Sequence, residues 1–159
     1  MVNKDRLEGL DYAYLIQYAS QKFNSCTLGK DCIMQMLYFL YGFYYAKTGK
    51  LLFDDDKPRA YPLGVYFKKI NFMSEIDGLV NFSNKKILEF NENVVALEMT
   101  KELVKRFKNY DVYYILKIVK EKSGPWFMTL YGDYINGGKQ KEWGSEIDKK
   151  IIKNYFKAI

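Results

Sequence analysis

IMQMLYFLYGFYYAKTGKLLF, residues Ile33 to Phe53, decides how this chain folds. Six aromatic residues crowd into Tyr38–Tyr45, the run halts at Lys47-Thr48-Gly49-Lys50, and an apolar triplet, Leu51-Leu52-Phe53, follows. The pattern predicts a helix that starts at Thr27 or Asp31, runs to about Ala46 and closes at Gly49, the position favoured for glycine after a helix end. A helix apolar nearly all round belongs at the centre of a domain. Leu51–Phe53 fits either a short strand or an extended turn.

Working outward, Asp11 predicts a capped helix over Tyr12–Phe23, with Ala13, Ile16, Ala19 and Phe23 at three- and four-residue spacing. In Arg59–Phe67, Pro62 and Gly64 predict a loop or short extended segment before a brief helix over Val65–Ile70. Asn81–Phe90 fits a short helix or a hairpin. Thr100 is expected to cap a helix through KELVKRFKNY, with Leu103, Val104 and Phe107 on one side. Asp111 is expected to cap another, with Tyr114, Ile115, Ile118 and Val119 as its buried stripe, ending before Gly124-Pro125. Trp126–Tyr134 continues as a further helical turn, and Asn136-Gly137-Gly138 reads as a loop. Ser145 and Asp148 form a capping arrangement for a C-terminal helix over Glu146–Ala158. The expected fold is mainly α: one domain over residues 1–159, a compact helical bundle around a central apolar helix, with short extended or hairpin segments in the middle.

The chain has no histidine among its 159 residues. That removes Ser-His and Cys-His nucleophiles, His-ligated metals and His proton shuttles together. Cys26 and Cys32 form neither a CxxC pair nor a disulfide framework, and read as reduced thiols, one or both partly buried. Gly137-Gly138-Lys139 lacks the spacing of a phosphate loop. Asp54-Asp55-Asp56 offers hard oxygen ligands, but three adjacent side chains cannot all face one ion, so a solvated turn is the expected role. The carboxylate pairs Glu75/Asp77 and Glu89/Glu92 arise by chance in a chain this acidic. The expectation is a protein that is not an enzyme and carries no cofactor or metal. The N-terminus lacks a signal-peptide core, and Ile33–Ala46 falls short of the ~20 apolar residues that span a bilayer, so the expected location is cytoplasmic.

The charge of +6 comes from 25 basic and 19 acidic side chains, the basic ones mostly lysine. Lysine is a hydrated point charge, less suited than arginine to forked phosphate recognition. Lys101, Lys105, Arg106 and Lys108 form a stripe that reads as a wet helix face, with nucleic-acid binding as the alternative. The aromatic share of 18% partly reflects a Lys-, Asn-, Ile-, Tyr- and Phe-rich composition of the kind an AT-rich genome produces. Tyrosine and tryptophan nevertheless anchor interfaces. Candidate partner-binding residues are Tyr41, Tyr44 and Tyr45 on the central helix, Asp54 and Asp55 in the turn after it, and Trp126 and Trp143.

The segment LYF-x-x-G-x-Y-x-A-x-TGK-x-LF, from Leu37 to Phe53, resembles the Panacea, or SocA-like, antitoxin family, whose members are often labelled phage-associated proteins. Leu37, Tyr38, Phe39, Gly42, Tyr44, Ala46, Thr48, Gly49, Lys50, Leu52 and Phe53 stand in the family's register. AYPLGV at Ala60–Val65 is similar to a second family element, without the proline that follows its glycine. Ala13–Ser20 resembles the first helix. KEKSGPW keeps Pro125 and Trp126 of a third element but not its histidine, and Tyr155-Phe156 matches near the C-terminus. The resemblance implies a mostly helical domain serving as the antitoxin of a toxin–antitoxin pair. Its partner would be a cognate toxin, neutralised directly or delivered to a AAA+ protease. It makes Leu37, Tyr38, Gly42, Thr48, Gly49, Phe53 and Pro125 structural.

Overall fold

In a computed structural model, residues 7–77, 79 and 93–159 are described, the side chains of 75–77 excepted. They form α1 (Gly9–Asn24), α2 (Lys30–Thr48), β1 (Pro58–Tyr61), β2 (Gly64–Phe67), α3 (Lys68–Asp77), α4 (Val94–Arg106), α5 (Val112–Val119), α6 (Pro125–Ile135), β3 (Ser145–Glu146) and α7 (Lys149–Ala158). The domain is mainly α, as expected. The stretch Asn81–Phe90, and with it the Glu89/Glu92 pair, lies outside the described residues.

Helix α2 is the axis. Its residues from Ile33 to Gly42 are buried without interruption, and α1, α4, α5, α7 and β2 all pack on it. Asp31 in the first turn and Lys47 in the last complement the helix dipole. Gly49 ends the helix at φ 73°, its N–H bonded to Tyr45 O at 2.9 Å. Thr48 Oγ1 donates to Tyr44 O (2.8 Å) and accepts from Lys50 N (3.1 Å), so the TGK turn is a hydrogen-bonded stop. At Gly42, α7 crosses so closely that a Cβ would overlap the ring of Phe156. Leu51–Phe53 is an irregular connection, not a strand, and drops Phe53 into the core against Tyr12, Tyr41 and Phe67.

Gln35 is fully buried on this helix and uses both ends of its amide. Nε2 donates to Val65 O (3.0 Å) and Oε1 accepts from Val65 N (2.9 Å), as a neighbouring strand would. Gln17 on α1 holds Leu28 in the same way, at 2.9 and 2.8 Å. Polar groups sealed in a core are tolerated when fully bonded, and these two tie strand and loop backbone to helices.

Several expected elements shift. Arg59–Phe67 is a two-stranded hairpin with Pro62-Leu63 at its tip, and β3 pairs with β1 on the other side, giving the order β2-β1-β3. The following helix begins at Lys68, because Val65–Phe67 is spent on strand pairing. Thr100 is not a cap. Helix α4 starts two turns earlier with Asn93, whose side chain accepts from Ala96 N (3.2 Å), and buried Thr100 Oγ1 donates back to Ala96 O (2.8 Å). Asp111 does cap α5, accepting from Tyr114 N at 2.9 Å. Its buried residues are Ile115 and Val119, while Tyr114 faces water. Asp148, not Ser145, caps α7, and Ser145 pairs with Ala60 in the sheet.

Candidate functional site

The acidic turn after α2 is the first place to look for chemistry, and it proves to be a fastener. Asp55 accepts from the backbone N of Gly9 (2.9 Å), in the first turn of α1, and lies 3.5 Å from Lys69 Nζ. Asp56 accepts from Ile70 N (2.8 Å), in the first turn of α3. A carboxylate at a helix N-terminus satisfies orphan amides and complements the dipole. The expected solvated turn is therefore a double helix cap, and only Asp54 of the three is exposed. Among the described residues no group of histidine, cysteine, aspartate and glutamate is arranged to hold a metal ion. Cys26 and Cys32 are free thiols, and burial, with Cys26 nearby, pushes Cys32 up to about 11.

The other proposed contact residues do not form one site. Tyr41 is 1% exposed, so it is a core residue and unavailable to a partner. It sits at 5.2 Å from Phe53 and 5.7 Å from Phe67, and burial raises its hydroxyl pKa. Tyr44 is half-buried and accepts at its hydroxyl from Asn93 Nδ2 (3.4 Å), which also reaches Tyr12. Tyr45 points elsewhere, with Lys153 Nζ 5.4 Å over its ring, into a charged cleft with Lys141, Glu146 and Lys150. Trp126 is buried and donates its indole N–H to Tyr61 O (2.9 Å), locking the hairpin to α6. Pro125 stands in the first turn of that helix, after Gly124 as its cap. Trp143, 47% exposed, lies 6.4 Å from Trp126. Of the seven, the two tryptophans adjoin one another, with Trp126 sealed, and Asp54 and Asp55 share the turn after α2.

Two features that sequence reasoning missed are better formed. The first is an open groove of about 560 Å³ between the C-terminal half of α2 and α4. Phe43, Val94, Val95, Met99 and Leu103 give it an apolar floor. Lys47 stands on the α2 rim, and Glu98, Glu102 and Arg106 stand on the α4 rim. Val94 and Val95 are exposed within it. Moving the start of α4 back to Asn93 would have revealed it, since Val95, Met99 and Glu102 then fall on one helix face. The second is the corner where α4 meets α5. Phe39 in the core stacks on Phe107 (5.3 Å, 8° between planes), Phe107 meets Tyr110 (5.4 Å), and Tyr110 stacks on Tyr114 (4.7 Å). Tyr110, Tyr113 and Tyr114 are exposed. The spacing Val112, Ile115, Leu116, Val119 was the signal that Tyr113 and Tyr114 face outward.

Another cleft, of about 580 Å³, between the hairpin and the starts of α2 and α3 contains Tyr66, whose hydroxyl donates to Asp31 (2.9 Å). Burial, with that bond, raises the Tyr66 pKa. Among the described residues no helix is long and apolar enough to cross a membrane.

No protein-family model matches the chain, and no curated protein or solved structure is significantly similar to it.

Proposed function

We propose that this chain is a non-catalytic, Panacea-type antitoxin-like protein of the cytoplasm that binds a cognate toxin, neutralising it or handing it to a AAA+ protease. The observation that carries the binding reading is the groove of Phe43, Val94, Val95, Met99 and Leu103. An apolar trough open along a helix pair suits an amphipathic helix laid into it. Its rims state what that helix carries: a basic residue where it faces Glu98 and Glu102, and an acidic one opposite Lys47. Support for the family comes from the motif residues, each of which has a physical task. Gly42 admits Phe156, Thr48 and Gly49 stop α2, Phe53 fills the core and Pro125 opens α6.

Co-expression with the product of the neighbouring gene tests this. The expected result is rescue of growth from a toxic neighbour and a co-purifying complex. Val95→Glu places a charge on the groove floor and is expected to abolish both, with the thermal midpoint unchanged. A neighbour that is neither bound nor neutralised overturns the reading.

A further inference from the structure

We infer that the α4–α5 corner is a binding surface for single-stranded nucleic acid, separate from the groove. Three observations meet there. Tyr113 is 75% exposed, Tyr114 52% and Tyr110 42%, a cluster of three, whereas Phe23, Phe72, Tyr134 and Trp143 are exposed elsewhere on the surface. Tyr110 and Tyr114 are already stacked and are tied to the core through Phe107 and Phe39. Such a platform is held in place before any ligand arrives, so little side-chain freedom is lost on binding. Cations flank it. Lys117 lies one helical turn beyond Tyr113 and Tyr114, and Lys105 and Lys108 precede Tyr110 within two turns, while Arg106 belongs to the groove rim. No ion pair within the described residues neutralises any of these three lysines. Of the nearby carboxylates, Asp111 is engaged in capping Tyr114 N, Glu121 accepts from Tyr155 and Glu102 lines the groove.

Exposed aromatic faces next to unpaired cations match a strand with a base and a phosphate in each unit. Rings stack on bases regardless of sequence, and lysines follow the backbone, so the occupant is single-stranded and read with little sequence preference. An acidic protein segment would use the cations and bury tyrosine rings as interface anchors, but it brings no ring in each unit to stack on them. Lys101 contributes least, because it is drawn toward Glu98 (3.3 Å) and lies over Phe23. The basic stripe read from α4 alone is therefore centred one element too early.

Fluorescence anisotropy with a labelled oligothymidylate of about 20 nucleotides tests the surface on the intact chain. Saturable binding at about 50 mM salt is expected, with log K falling against log salt by about 0.7 for each phosphate engaged. Tyr113→Ala is expected to weaken binding by about tenfold or more, Tyr113→Phe to retain it, and Lys117→Gln to reduce the salt slope by about 0.7. Tyr113 and Lys117 are exposed, and an unchanged circular-dichroism melt verifies folding of each variant. No binding at low salt overturns the inference. So does binding indifferent to Tyr113→Ala and competed equally by polyglutamate, which marks a bare cationic patch suited to acidic proteins.

Discussion

Two aromatic-rich regions of this molecule, each containing tyrosine, have opposite fates. Around α2, Tyr38, Phe39 and Phe43 converge on Phe156, with ring centroids 5.3, 6.2 and 4.8 Å from it. Around α5, Tyr110, Tyr113 and Tyr114 stand in water. The difference lies in what surrounds each helix. Elements from both ends of the chain enclose α2, whereas α5 packs on α2 and β2 and leaves its outer face bare. Ring content therefore did not decide burial; the number of covered faces did. The buried cluster carries stability, and the exposed one is free to bind.

The sharpest way to break that contrast is to truncate one ring on each side. Phe156→Ala empties the space beneath Gly42 and is expected to cost about 3–5 kcal/mol, read as a large drop in the denaturation midpoint. Tyr113→Ala is expected to stay within about 0.5 kcal/mol of the parent. Equal losses would refute the division.

Alkaline titration separates the regions without mutation. Burial raises the hydroxyl pKa values of Tyr38 and Tyr41 above the ordinary 10.0. The native state then keeps protons that the unfolded chain releases, so their contribution is fully present below about pH 10 and falls as pH rises beyond it. Thermal midpoints across that range are expected to decline, and Tyr41→Phe to flatten the decline.

The smallest effect concerns one atom. The Tyr38 hydroxyl is buried with no hydrogen-bond partner, near Tyr155, which donates to Glu121. An unsatisfied buried group is costly, so Tyr38→Phe is expected to stabilise the protein by about 1 kcal/mol, measured by urea denaturation. A destabilised variant would mean that the hydroxyl is satisfied in solution.

Much of the fold was legible in residues close together in the chain. The all-round apolar run announced α2 as the axis, Gly49 marked its end, Asp111 marked a cap, and Gly124-Pro125 marked the end of α5. Errors arose where local chemistry offered two equivalent readings. Thr100 and Asn93 are both good caps, and only the burial of Thr100 among packed helices selects Asn93. The PLG sequence at Pro62–Gly64 suits a loop or a hairpin tip, and Gln35 gripping Val65 settles it as hairpin. The candidate contact residues fared worse. Tyr41, Tyr44 and Tyr45 are neighbours in sequence, yet one is core, one is tied to Asn93 and one faces a charged cleft.

By itself the sequence determined a helical domain built around Ile33–Phe53 and stripped of histidine chemistry, because caps, stop signals and apolar spacing act within a few turns of chain. Only the tertiary structure decided that Asp55 and Asp56 fasten helices, that Trp126 is sealed and that Tyr113 and the α2–α4 groove are open. Those outcomes depend on which distant segment covers each face, and burial is a property of the covering segment as much as of the residue covered.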